Sequence, residues 1–194
     1  SKFHATVKQD ATYDDQNIGI KNAPNGSVAW STDRYLNIWV CKIDNAAGYA
    51  TWPADYAFYP NFDGLVLNYT ICGRNVSSTS KGRVATHEVG HWLNLHHIWG
   101  DQGFNWLCTE DDFVGDTPKQ KASNYGCPTF PRTFNLCNQS DISEIFMNYM
   151  DYTNGSCQNL FTNGQKLRAR ALFAAGGARE IMLNNYFKVR QKTN

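Results

Sequence analysis

The 194 residues amount to about one large domain, or one domain divided by a cleft, and 42% apolar against 18% charged content supports a sizeable core. Eighteen basic and seventeen acidic residues leave a formal charge of +1, which argues against a nucleic-acid scaffold and a polybasic membrane binder. No apolar run approaches the roughly 18 residues of a membrane span, so a soluble globular protein is expected.

Ser1-Lys2-Phe3 carries neither an initiator Met nor an apolar leader, and reads as a trimmed mature start from which a signal or pro-segment has been removed. Tyr35 to Cys41 is rich in β-formers and predicts a strand; Gly64 to Ile71 predicts another. Gly48 to Pro53 lies between them in an irregular connection punctuated by Pro60 and Gly64. From about Ser80 the period changes: Val84, Glu88, His91 and Leu95 recur at helical spacing, with N-cap candidates from Ser77 to Ser80. After Gly100 the chain is irregular until Thr162-Asn163-Gly164-Gln165, which opens a helical run from Lys166 to Phe173. So long an irregular stretch inside a compact chain must carry function or be clamped.

The cysteines offer a clamp. Cys41, Cys72, Cys108, Cys127, Cys137 and Cys157 contain no C-x-x-C pair, which weakens a redox or zinc-ribbon reading. Four fall between 108 and 157, where little apolar surface can be buried and cross-links would compensate by constraining the unfolded chain. That usage fits a secreted protein. Five N-x-S/T sequons, at Asn25, Asn68, Asn75, Asn138 and Asn154, are compatible with it.

The chemistry concentrates in His87-Glu88-Val89-Gly90-His91-Trp92-Leu93-Asn94-Leu95-His96-His97. On a helix His87 and His91 lie one turn apart on one face, so both imidazoles can reach one metal ion. Glu88 can project toward a metal-bound water without ligating, the place of a general base. His97 supplies a third ligand if the helix ends and the chain turns back. Three neutral imidazoles leave an open position on Zn²⁺, where a water is acidified toward neutrality.

This pattern resembles the metzincin metalloprotease signature H-E-x-x-H-x-x-G-x-x-H. It departs at Asn94, where the signature has Gly, but Asn is the residue next best suited to positive φ. Phe146-Met147-Asn148-Tyr149-Met150-Asp151-Tyr152 looks like the accompanying Met-turn. Together with Asp112 to Pro118 and Cys157…Phe161-Thr162…Gln165, it is similar to the pappalysin family, and in particular to its small secreted microbial members.

The resemblance implies an α/β (α+β) metzincin fold, formed by residues 1–194 as one catalytic domain. A twisted mixed sheet, helices and the active-site helix would make an upper lobe, about 1–94. An irregular, disulfide-clamped lower lobe with a C-terminal helix would span about 95–194. It places Met150 beneath the three imidazoles and Tyr152 near the metal as an oxyanion stabiliser, while Met147 reads as core and His96 as packing or support. It pairs Cys108 with Cys137 and Cys127 with Cys157, leaving Cys41 and Cys72 undecided. A structural Ca²⁺ beside the catalytic Zn²⁺ is expected on Asp112, Asp116 and Thr117, where Asp111 adds to the acidic loop. The implied activity is secreted endopeptidase cleavage of extended protein or peptide substrates, with strand 64–71 as the cleft's upper rim. The removed pro-segment would act as latency partner, and a monomer without nucleic-acid or membrane partners is expected.

Three competing readings remain: a zincin whose third ligand is a later Glu, a catalytically silent domain that kept zinc for stability, and a calcium-stabilised binding module. His97 and the Met-turn argue against the first, Glu88 against the second, and the histidine cluster against the third. Small members of the family cleave before basic residues, which needs an acid at the pocket after the Met-turn. Residues 154–157 and 165–170 contain none, and burying an unpartnered cation costs several kcal/mol. A weakened or absent basic preference at P1′ is expected, unless Asp151 folds inward.

Overall fold

A hydrogen-bonded sheet of three short strands is the frame on which the site is hung. The computed structural model describes residues 19–22, 26–44, 46–73, 77–101, 103 and 105–191. Ser1-Lys2-Phe3 and the sequons at Asn25 and Asn75 lie outside them. Strand β1, Ile38–Cys41, alternates: Ile38 and Val40 face solvent while Trp39 and Cys41 join Ile20, Ile43 and Val66 in a core. Strand β3, Leu65–Asn68, is buried at all four positions, as suits a strand flanked on both edges. It pairs parallel with β1 (Ile38 opposite Leu65) and antiparallel with β2, Gly48–Ala50 (Gly48 opposite Leu67), so the order is β1-β3-β2.

Two expectations change here. Gly48 to Ala50 is a strand, too short for its periodicity to be visible. Its Gly permits a close approach, since a Cβ there would lie 2.9 Å from Val66 O and 3.0 Å from Glu88 Cγ. The segment 64–71 is not the free rim: its ordered part, β3, is the middle strand, and β2 is the sheet edge that faces the cleft. The Asn68 sequon points inward, its amide donating to Ile43 O at 2.6 Å.

Helix α1, Arg83–Trp92, starts without a side-chain cap: Gly82 holds the N-cap at φ 71°, and the Ser80 hydroxyl donates to Ile71 O instead. Its end is a Schellman motif. Leu95 N–H donates to Gly90 O at 2.9 Å and Asn94 N–H to His91 O at 2.8 Å, with Asn94 at φ 66° in the position that favours Gly. Helix α2, Asn163–Ala171, opens with a reciprocal capping box between Thr162 and Gln165. A further helix, α3, Glu180–Gln191, follows. Just before it, Arg179 forms a fully buried bidentate pair with Asp63 at 2.8 and 2.9 Å and stacks 3.6 Å from the Trp92 ring, tying the C-terminal segment to the end of α1. No helix among the described residues is long and apolar enough to cross a membrane.

Between Gly100 and Thr162 the only ladder fragments among the described residues are the bridges Gln120–Leu136 and Asn148–Leu160. Two disulfides, Cys108–Cys137 and Cys127–Cys157, interleave across this stretch, while Cys41 and Cys72 are free thiols. Burial pushes the Cys41 thiol up to about 11.

Candidate active site

The α1 helix presents His87 and His91 on one face, and the turn through Asn94 carries the chain back so that His97 joins them. The three Nε2 atoms lie 3.1 to 3.2 Å apart. Each Nδ1 is engaged elsewhere: His87 with Tyr149 O at 2.7 Å, His91 with Leu95 O at 2.8 Å and His97 with Asp101 Oδ1 at 2.9 Å. Because those partners accept, each Nδ1 carries the proton and each Nε2 offers a lone pair. Three lone pairs converging on one point repel unless a cation lies between them. Ligand nitrogens of a tetrahedral zinc at 2.0–2.1 Å are roughly 3.3 Å apart, so the donor set fits Zn²⁺. It is the one such cluster of His, Cys, Asp or Glu among the described residues.

The electrostatics agree. Burial, with a contribution from His97, lowers His87 to about 4, and burial plus both neighbours lowers His91 further, so these two imidazoles are neutral, as metal ligands must be. Burial would raise the Asp101 carboxyl, but hydrogen bonds to His96 and His97 outweigh it and hold it well below the usual range. Asp101 thus orients His97 and also binds His96, whose ring turns away to stack on Trp52 at 4.8 Å. Trp99 stacks flat on His97 at 4.7 Å. The Tyr152 ring sits 5.0 Å from His97 and 5.6 Å from His87.

Fully buried Met150 packs with Leu95 and Ile98 just after α1. It approaches α1 where Gly90 has no side chain; a Cβ there would overlap the Met150 sulfur. Glu88 is buried beside β2 and lines a cleft of about 720 Å³ together with His87, His91, His97 and Tyr152. Burial pushes its carboxyl up to about 8. Sequence reasoning missed Gly90, Trp52, Trp99 and Asp101. The helix-interior Gly between His87 and His91 was a readable signal, whereas the aromatic and carboxylate supports come from loops that only tertiary contact brings near.

The remaining residues fall outside this cluster. Asp112 is buried with Thr117 against it, while the Asp116 carboxylate receives Gly164 N–H at the start of α2. Asp151 lines the cleft, but not as a free acid: Asn124 N–H, the Asn124 amide, the Gln120 amide and Tyr152 N–H all donate to it.

Residues 20–174 match the family described as Pregnancy-associated plasma protein-A. An extracellular metalloprotease of Sordaria macrospora is 32% identical over 174 residues, covering 87% of this chain and 57% of its own length. One from Arthroderma benhamiae is 40% identical over 121 residues, or 60% and 39% of the two chains. Mature mirolysin of Tannerella forsythia, solved with a cleaved peptide, superposes with a TM-score of 0.81 at 47% identity, over 91% of this chain and 65% of that one. A T. forsythia promirolysin mutant gives 0.82 at 46% identity, over 92% and 58%. The match thus spans between 39% and 57% of the length of these two curated relatives. A helix-borne histidine pair, a third histidine after a left-handed turn and a methionine packed against that helix at Gly90 match a metzincin. The chain belongs to the Pregnancy-associated plasma protein-A family of peptidases.

Proposed function

We propose that this chain is the catalytic domain of a secreted zinc endopeptidase that hydrolyses extended protein or peptide substrates. The observation that carries the reading is the convergence of three Nε2 lone pairs, each fixed by a hydrogen bond at Nδ1, at the floor of a cleft that also holds Glu88. His87, His91 and His97 would hold a zinc ion, which would supply Lewis acidity and acidify a water at the open position. Glu88 takes the proton of the attacking water and returns it to the leaving amine. The Tyr152 hydroxyl donates to the oxyanion that develops on the scissile carbonyl. The outer edge of β2 pairs with the substrate backbone, giving affinity with little dependence on sequence. Secretion is supported by the extracellular relatives and the two disulfides, and a pro-segment by the existence of a proform of mirolysin.

The same reading includes a structural calcium on the 112–117 loop. Thr117 Oγ lies 2.7 to 2.8 Å from Asp112 Oδ1, Asp112 Oδ2 and Val114 O. One hydroxyl has one proton for three acceptors, and burial pushes Asp112 up to about 7. Such an oxygen-rich cluster suits a hard cation. Asp116 would contribute by holding this loop to α2.

Glu88→Ala tests the central assignment. Peptide hydrolysis should fall by two to four orders of magnitude while zinc content stays at one ion per chain. Retained hydrolysis, or loss of zinc, would overturn the role of Glu88.

A further inference from the structure

Arg83 opens α1 one turn before His87, so it shares the helix face that lines the cleft. The segment 154–157 packs against it: Ser156 N–H donates to Thr79 O at 3.0 Å, and a Cβ at Gly155 would lie 3.0 Å from Arg83 Cβ. The Cys127–Cys157 disulfide anchors that segment covalently. This end of the cleft is therefore a built wall carrying one cation.

That cation has no carboxylate partner among the described residues. Its guanidinium is exposed and lies 5.4 Å above the Tyr149 ring, which orients the planar fork while leaving its N–H donors unpaired. None of the cleft's own acids forms an ion pair with Arg83. Asp101 binds His96 and His97, Asp151 accepts four N–H groups, and Glu88 stands beside the histidines. An unpaired guanidinium at a cleft wall receives carboxylates best, through charge-assisted paired hydrogen bonds.

The direction of β2 says which part of a substrate arrives there. Gly48 lies against Glu88, and Trp52, just past the end of β2, lies against His91 and His96. Antiparallel pairing is the more stable per residue, and a substrate strand so paired with β2 enters at Trp52 and leaves past Arg83, presenting the residues C-terminal to the scissile bond.

We propose that Arg83 is a specificity-determining residue that selects an Asp or Glu side chain immediately C-terminal to the scissile bond. The inference rests on the endopeptidase reading and deepens it. A basic side chain at that place would meet Arg83 instead of an acid, and is disfavoured.

The test digests C-terminally amidated peptide libraries, so that side-chain carboxylates alone are scored, with the wild type, Arg83→Lys, Arg83→Ala and Arg83→Glu. In the wild type, Asp and Glu should be enriched about fivefold on the C-terminal side of cleaved bonds, and less at 0.5 M salt. Lys should keep part of the preference, Ala should remove it and Glu should invert it toward Lys and Arg. A second arm measures binding of Glu-containing and Lys-containing peptides to Glu88→Ala, alone and combined with Arg83→Glu, expecting the Glu peptide to bind tighter and the order to reverse. Absence of acid enrichment, enrichment confined to the N-terminal side, or a preference unchanged in Arg83→Glu would overturn the proposal. If no library is cleaved, the endopeptidase reading fails, and the binding arm still decides the charge preference of the Arg83 wall.

Discussion

The two sides of the cleft are built by different physics. Residues 38–95 use backbone ladders: β1, β3 and β2 share hydrogen bonds, α1 lies against them, and apolar Trp39, Cys41 and Val66 fill the core. Residues 100–162 use side chains in place of ladders. Glu144 accepts from Asn124 and from Asn135 N–H, Asp151 from Asn124 and Gln120, and Asn148 exchanges amide hydrogen bonds with Gln165 of α2; all are almost fully buried. A segment without regular structure can thus be rigid when buried carboxylates and amides satisfy its backbone and cross-links limit its unfolded freedom. Met150 hangs from this second region and supports the first.

If cross-links and polar networks hold the irregular side, removing them should hurt it most. Replacing Cys108 and Cys137 together by Ser frees a loop with a sequence separation of 29, which should cost about 3.5 kcal/mol. Urea unfolding of wild type and variant measures it, and an unchanged midpoint would show that the polar network alone suffices.

Asp151 gives the network a pH signature. Burial pushes its carboxyl up to about 6, although four N–H donors pull the other way. A folded value above the unfolded one, about 3.9, means that folding favours the protonated form. Its contribution is fully present below about pH 4 and is lost as pH rises through about 6, a swing on the order of 3 kcal/mol. Stability measured from pH 4 to 7 should carry this slope in the wild type and lose it in Asp151→Asn. Equal slopes in both would assign the titration to another group.

The contact between the two regions should be less costly to disturb. Gly90→Ala drives a methyl into Met150, and overpacking of this kind costs about 2 kcal/mol. Zinc affinity should fall with it, since Met150 lies under the ligand-bearing helix; a zinc competition titration reads the change, and unaltered affinity would leave Met150 a packing residue only. The smallest effect should come from Thr162→Ala, which removes the capping box of α2 and should cost about 1 kcal/mol, read as a modest drop in melting temperature. A larger loss would mean that α2 supports the irregular region more directly than the Asn148–Gln165 pair alone.

Residues local in sequence announced themselves. His87, Glu88 and His91 share a helix face because 3.6 residues make a turn, and Asn94 can take the left-handed turn that sends the chain back toward His97. Thr162 and Gln165 wrote the start of α2 in their spacing. The strand predictions were right in place and long in extent, and β2 was invisible because three residues carry no period.

What only tertiary structure decided depends on residues far apart in the chain. The edge of the sheet passed from β3 to β2 because register and strand order are set by pairing partners, which composition does not encode. The tautomers of the three histidines are set by Tyr149 O, Leu95 O and Asp101, of which Tyr149 is 62 residues from the histidine it orients. Arg83 reads in sequence as an ordinary basic residue at a helix start. It becomes a cleft wall only where a disulfide-anchored segment from far along the chain closes against it and no carboxylate among the described residues pairs with it.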